Sequence, residues 1–210
     1  MTWPVPARIA TERLVLRRYA PADAEALAAV AARNREHLIR FLPWAADEPQ
    51  SVAQRRAWIA EVDAAFDAGT EFTMGLFLAD GTLVGGTGYH VRTEPEPYLE
   101  IGYWIDAAHE GLGLVTEAVA ALTLVALEIC GVPTVGIAHA PANTRSAAVP
   151  ARLGYARQPD TAILTCSDGG AAVAPVEWRA TPSTLAVEPL ASWPRPALTD
   201  ADGAAVAWPG

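Results

Sequence analysis

The 210-residue chain has no lysine; all 15 of its basic residues are arginine. This absence excludes a Schiff-base lysine, pyridoxal-phosphate chemistry and any phosphate loop that depends on lysine. Thiols are nearly missing as well, with Cys130 and Cys166 the only cysteines. Met1 to Ala10 carries no basic region followed by an apolar stretch. Two isolated thiols in such a chain read as reduced, buried small hydrophobes, and the cytoplasm is the expected compartment. The longest apolar run, Ala118 to Leu127, lies between Glu117 and Glu128 and is too short for a bilayer span of ~20 residues, so no membrane is expected. The four histidines, His37, His90, His109 and His139, fall on separate elements without paired spacing, which argues against a metal site. A net charge of -9 denies the chain the basic face that nucleic acid requires and suits a cationic or amine partner.

Hydrophobic residues make up 51% of the chain and charged residues 19%, enough to bury a core. Alternation over Arg8 to Arg18 predicts a first strand. Pro21 opens an alanine-rich helix to about Arg33, and Ser51 caps a second from Ser51 to Ala68 with Ala53, Trp58, Ile59, Val62 and Phe66 as its apolar stripe. The apolar connector between them, His37 to Trp44, has the composition of a pocket wall. Asp80-Gly81 joins two strands, Glu71 to Ala79 and Thr82 to Val91. A rigid loop at Glu94–Pro97 leads to a strand from Tyr98 to Ile105. A helix from Leu114 to Cys130 stops at Gly131. A strand from Thr134 to His139, a helix after Asn143 and two strands flanking Asp168-Gly-Gly170 complete the order βααβββαβαββ. This predicts an α/β (α+β) fold: a mixed, mostly antiparallel seven-stranded sheet with helices on both faces. Prolines 182, 189, 194, 196 and 209 then break the pattern. They divide the chain into a domain, 1–181, and a Pro/Ala-rich tail, 182–210, either loosely docked or used against a partner, as in an arm-exchanged homodimer.

The segment carrying most information runs from Tyr98 through Asp106-Ala-Ala-His-Glu110 and Gly111-Leu-Gly113 into the helix. A strand passing through a glycine turn into a helix aims unpaired amides and the helix dipole at one point, a site for phosphate; a tight turn needing positive φ explains the glycines equally well. A dinucleotide fingerprint fails because Thr116 occupies the third-glycine place and His139 stands where an acid is wanted, and a Walker loop fails for want of lysine.

On these residues the chain resembles the GNAT superfamily of acyl-CoA-dependent N-acyltransferases, and within it the RimJ/RimL-like branch. The resemblance spans about Ile9 to Arg179. It rests on Thr11-Glu-Arg-Leu-Val-Leu-Arg17, Asn34-Arg-Glu-His-Leu38 with Leu42-Pro-Trp44, Glu100-Ile-Gly-Tyr-Trp104, Glu110-Gly-Leu-Gly-Leu-Val-Thr-Glu-Ala118, Asn143-Thr-Arg-Ser146 and Arg152-Leu-Gly-Tyr155. It implies acetyl-CoA as co-substrate and no metal. Glu110, Gly111, Leu112, Gly113, Leu114 and Val115 would hold the pyrophosphate through backbone amides. The backbone of Trp104, Ile105 and Asp106 would pair with the pantetheine arm, Asn143 would contact it, and Ser146 would lie near the sulfur.

Direct transfer needs a proton acceptor for the amine, a donor for the oxyanion and a donor for the thiolate. The resemblance assigns Glu100 as base or amine-orienting residue, with an arginine-bound strand carboxylate as the alternative, and Ser146 as thiolate donor, with a plain helix-surface hydroxyl as the alternative. His90, one strand over, is a second candidate base, though a satisfied strand histidine is the commoner outcome; Tyr89 and Tyr103 read as packing residues. Two positions depart from the pattern. Pro150 stands where many relatives carry a tyrosine acid and predicts a kinked or short helix. Glu110 stands where many carry Arg or Gln, beside the expected pyrophosphate. The implied acceptor is a primary amine of a small molecule or a protein N-terminus. A catalytically weak CoA-binding sensor or assembly domain, and an acyltransferase using another donor such as succinyl-CoA, are the alternatives.

Overall fold

A computed structural model describes residues 3–94, 96–159 and 166–209; Pro95, within the expected Glu94–Pro97 loop, lies outside them. The strands are β1 (Arg8–Ala10), β2 (Leu14–Arg17), β3 (Glu71–Leu78), β4 (Leu83–Arg92), β5 (Tyr98–Ile105), β6 (Val135–His139), β7 (Ala156–Arg157), β8 (Cys166–Asp168), β9 (Ala171–Val173), β10 (Val176–Ala180), β11 (Ala197–Thr199) and β12 (Ala205–Val206). The helices are α1 (Ala24–Arg33), α2 (Arg35–Leu38), α3 (Val52–Ala68), α4 (Leu114–Leu124) and α5 (Thr144–Arg152). Among the described residues ten strands form one sheet in the order β12-β11-β1-β2-β3-β4-β5-β6-β10-β7, and β8 and β9 form a separate hairpin. The pairing is antiparallel except between β5 and β6.

The mixed, mostly antiparallel architecture agrees with the sequence, but the strand count of seven does not. The expected first strand is two, because Glu117 on α4 pulls the middle of it into a turn. Glu117 accepts from the Thr11 hydroxyl (2.6 Å), the Arg13 amide (2.9 Å) and Arg13 Nε (2.6 Å). The strands flanking Asp168-Gly-Gly170 do not enter the main sheet; β10 pairs with β6 instead. The stretch after Thr181 extends the sheet rather than hanging from it: β11 pairs with β1, and β12 with β11. Leu190 and Leu198 are buried, so the tail brings apolar side chains to the core that period counting passed over.

Each face of the sheet carries its own core. Leu99, Ile101 and Ile105 of β5 pack with α4, with Val149 of α5 and with Leu153 just past its end. Trp104 packs on the opposite face with Tyr19, Leu27 of α1 and Ile59 of α3. The α3 N-terminus follows expectation, with Ser51 and Gln54 forming a capping box; Ala53, however, is exposed, and Arg55 takes a buried place in its stead. The long helix after Gly113 runs as α4 to Leu124 and widens into a π-turn over Val125–Ile129, ended by Gly131 at φ 67°. No helix among the described residues is long and apolar enough to cross a membrane.

Asp106, at the end of β5, is buried and ties this strand to α1. Its carboxylate accepts from the Arg33 guanidinium and from Asn34 Nδ2 (2.9 Å), and Asn34 Oδ1 in turn accepts from the Ala107 amide (2.9 Å). Burial alone would raise the Asp106 pKa, but Arg33, Asn34 and the Ala108 amide together hold it well below the usual carboxylate range.

Two outcomes follow for stability. Leu190→Ala should cost about 2–5 kcal/mol in urea denaturation, as for other fully buried leucines. Asp106→Ala should cost about 1.5–3 kcal/mol at neutral pH, the worth of hydrogen bonds to a charged group. A depressed carboxylate contributes stability above its unfolded pKa of about 3.9 and loses it as pH falls toward the folded value. The gap between wild type and Asp106→Ala should therefore narrow in melts below about pH 4.

Candidate active site

β5 and β6 pair in parallel only at Leu99↔Val135 and Glu100↔Gly136. Beyond that point they part, and a slot of about 850 Å3 opens between Glu100–Tyr103 on one wall and Ala138–Ala140, Asn143 and Ser146 on the other. The register of β4 with β5 decides which backbone groups face it. The Asp106 amide donates to the Val84 carbonyl (2.7 Å), and pairs alternate along an antiparallel ladder, so Trp104 and Gly102 also point toward β4. Ile101, Tyr103 and Ile105 therefore present their amides and carbonyls to the slot. Of the three backbone positions expected to meet a pantetheine arm, Ile105 has this orientation, whereas Trp104 and Asp106 turn toward β4; Tyr103 joins Ile105.

At the end of β5, Ala107–His109 form a single turn and Glu110 leads into Gly111 (φ 73°) and Gly113 (φ 76°), both left-handed, with Gly113 as the cap of α4. The Glu117 amide bonds the Gly113 carbonyl (3.0 Å), which leaves the amides of Leu114, Val115 and Thr116 without helical partners. Leu112 is exposed and Leu114 buried. Arg13 lies beside this loop, its Nη1 donating to the Leu112 carbonyl (2.8 Å), and is a cation the sequence reading did not place here. Glu110 is not an isolated carboxylate. It is ion-paired with Arg145 from α5 and lies 3.0 Å from His37 Nε2, so a cation and an imidazole are gathered at the position where its charge alone looked unfavourable.

Pro150 shapes the opposite wall. Helix α5 runs through it to Arg152 rather than ending early, because proline in the last turn removes one amide and leaves one carbonyl free. That carbonyl, four residues back, is Ser146 O, and the Tyr103 hydroxyl donates to it (3.1 Å) while lying 2.9 Å from Ser146 Oγ. Asn143 Oδ1 accepts from the Ser146 amide (3.1 Å) and caps the helix. Ser146 is thus held in the slot against a phenol. Burial pushes the Tyr103 pKa up to about 12, which keeps its proton on at neutral pH. Tyr103 was read from sequence as packing; the missing amide of Pro150 was the signal that could have found it. Tyr89 does pack, buried, with its hydroxyl on the Leu122 carbonyl (2.6 Å).

Glu100 lines the slot at the last paired position, and both its oxygens are taken by Arg92 (Nη2 2.8 Å, Nε 3.2 Å). This is the arginine-bound arrangement that stood as its alternative role. His139 also lines the slot, but Trp178 Nε1 donates to its Nε2 (3.0 Å) and its Nδ1 lies on the Ala140 carbonyl (2.8 Å); burial lowers its pKa. His90 differs. Its Nδ1 meets Glu71 (3.2 Å), and its ring lies over Gly102, where an added Cβ would come within 3.0 Å of Nε2. Burial raises the pKa of Cys130 to about 12 and that of Cys166 as well, so neither thiol is activated. Among the described residues no cluster could hold a metal.

The β8–β9 hairpin roofs the slot. The Gly169 amide donates to the Arg40 carbonyl (2.8 Å) and Arg40 Nε to Asp168 (2.9 Å), which brings the connector between α2 and α3 against the hairpin. A second chamber of about 440 Å3 adjoins the slot at Leu42, His90, Gly102 and Tyr103, with Trp44, Trp58 and Trp104 among its walls.

Comparison with known proteins agrees with this geometry. The acetyltransferase (GNAT) domain family matches residues 13–156. YdaF of Bacillus subtilis (strain 168), named as a candidate ribosomal N-acetyltransferase, is 32% identical over 144 residues, covering 69% of this chain and 78% of that protein. RimJ of Mycobacterium smegmatis, solved with a CoA disulfide, superimposes with a TM-score of 0.77 at 21% identity, covering 88% of this chain and 92% of that one. RimL, an acetyltransferase of a ribosomal-protein α-amino group solved with coenzyme A, gives 0.71 at 18% identity, covering 84% and 97%. The microcin C7 self-immunity acetyltransferase MccE, solved with acetyl-CoA and AMP, gives 0.70 at 19% identity, covering 81% and 93%. The family match spans more than half of the chain, and with the parted strands and the glycine turn already in place, this protein belongs to the GNAT acetyltransferases.

Proposed function

We propose that the protein transfers an acetyl group from acetyl-CoA directly to a primary amine, and that the amine is a protein N-terminus. The observation that carries the reading is the parting of β5 from β6 beside the glycine turn. An extended edge at Tyr103 and Ile105 suits an amide-bearing pantetheine arm, and the open amides from Gly111 to Val115 at the head of α4 suit its pyrophosphate. The N-terminal acceptor is supported by YdaF, whose name points to ribosomal N-acetylation, and by a net charge of -9, which draws cationic ammonium groups and basic proteins.

In this reading Asn143 uses its free side-chain amide toward the pantetheine. Ser146 Oγ protonates the departing thiolate, backed by the Tyr103 hydroxyl. A Tyr103 or Ile105 amide facing the slot serves the oxyanion. Glu100, held by Arg92, orients the incoming ammonium. Arg145 leaves Glu110 to meet the pyrophosphate, with Arg13 close by.

Thiol release with acetyl-CoA and short peptides beginning with alanine or serine tests the reaction; CoA binding no tighter than millimolar in calorimetry would overturn it. Ser146→Ala should lower kcat about 100-fold, and Tyr103→Phe about tenfold, as expected for loss and weakening of a positioned proton donor. Glu110→Gln should free Arg145 and tighten CoA binding about two- to fivefold in calorimetry, the worth of a mostly exposed ion pair.

A further inference from the structure

We infer that His90 takes the proton from the attacking amine and that Glu71 positions it; this rests on the acetyl-transfer reading above. An amine attacks only as its free base, so some group on the acceptor side of the slot must accept a proton. The ionisable side chains lining the slot can be taken in turn. Glu100 has both oxygens on Arg92. The two ring nitrogens of His139 are engaged by Trp178 and the Ala140 carbonyl. Tyr103 keeps its own proton and lies on Ser146, at the thiolate side. Cys166 is pushed away from its thiolate form by burial. His90 is left, and its geometry fits the task.

His90 stands at the junction of the slot and the aromatic chamber and lines both. Glu71, directly across the strand pair in register, meets Nδ1 at 3.2 Å. The hydrogen bond from His90 is the largest influence holding the Glu71 carboxyl below its usual range, so Glu71 stays ionised and accepts from Nδ1–H. This fixes the tautomer that leaves the Nε2 lone pair open, the same orienting logic as in a carboxylate–histidine pair of a hydrolase. Among the described residues only Glu71 holds the ring. Gly102 supplies the space: any side chain there would meet Nε2 at about 3.0 Å, so the bare glycine lets the imidazole lie across β5 toward the point where the strands part. Ser146 lines the same slot from the opposite wall, where the Tyr103 hydroxyl reaches across to it.

The step balances without an oxidant or reductant. The amine lone pair forms the C–N bond at the thioester carbonyl, and the nitrogen's proton passes to Nε2. The C–S bond breaks with its electron pair on sulfur, and sulfur takes a proton from Ser146 Oγ, which recovers one through Tyr103 and solvent. The imidazolium releases its proton to solvent. The titratable and charged groups that share these cavities with His90 are Glu71 on β3, Tyr89 on its own strand, Glu100 and Tyr103 on β5, Tyr19, Asp47 and Arg55 along the chamber, and Arg40, His139 and Cys166 along the slot, with Arg92 two residues further along its own strand.

The test is the pH dependence of kcat/KM for full-length protein with acetyl-CoA and peptides beginning with alanine or serine. Wild type should lose activity on the acid side. His90→Gln should lower kcat about 100-fold or more, the worth of a positioned base, remove that acid limb, and leave CoA affinity by calorimetry within about twofold. Glu71→Gln should lower kcat about tenfold and leave KM for the peptide within about twofold, because the ring loses the group that orients it. Added imidazole should restore part of the activity of His90→Ala, which a merely structural role would not produce. The inference is overturned if His90→Gln keeps the wild-type kcat and acid limb, or if Glu100→Gln is the variant that removes it. A wild-type protein that binds CoA but releases no thiol with any peptide would overturn the acetyl-transfer reading itself, and this assignment with it.

Discussion

Two parallel strands that pair at two positions and then part impose the constraint from which the rest of the site follows. Peptide groups inside a protein must find hydrogen-bond partners or lose about 1–3 kcal/mol each. Beyond Gly136, where β6 keeps its pairing with β10 but leaves β5, the outer edge of β5 at Ile101, Tyr103 and Ile105 is left without a strand. A ligand that can act as a short strand completes that edge, and the glycine turn and the head of α4 follow directly, so that the same ligand is offered amides for its phosphates. In the proposed reading the sheet thereby positions a linear, amide-bearing, anionic molecule without lysine.

Both departures from the family pattern become parts of this arrangement once the chain is folded. Pro150 removes a helical amide and so frees the Ser146 carbonyl, to which a tyrosine from the central strand docks. A phenol is thus supplied to the serine from β5 in place of one from α5. Glu110, a carboxylate beside an expected pyrophosphate, gathers Arg145 and His37 instead of standing alone. In each case a residue that looked like a loss in one dimension acts through a partner distant in sequence.

Ties between elements keep the parted strands in place. Glu117 fastens the β1–β2 turn to the first turn of α4, and Asp106 fastens the end of β5 to the end of α1. The tail fastens β1 through β11. None of these contacts touches the slot, yet each holds a segment whose displacement by an ångström would misalign it.

Local pattern carried a large part of the fold. The Asp80-Gly81 turn between β3 and β4, the cap at Ser51 and the glycine stop of the helix that begins as α4 depend on neighbours within one turn or one strand, so turn chemistry, period and caps were sufficient to locate them. The glycine turn is local in the same way, whereas Ser146 and Glu110–Val115 were named through the family resemblance. What depends on partners across the chain was not legible: the splitting of the first strand by Glu117, the docking of the tail, and the roof made by β8 and β9. The site shows the same division. By itself the sequence determined which chemistry-bearing residues exist and that any phosphate contact falls to backbone and arginine, not lysine. Only the tertiary structure decided their states, because it set which partner each one reaches. Among the described residues Glu100 is bound by Arg92, His139 by two neighbours, and His90 by Glu71 alone with its other nitrogen over Gly102. Hydrogen bonds act over about 3 Å, and such distances between residues far apart in the chain come into being only when the strands pair.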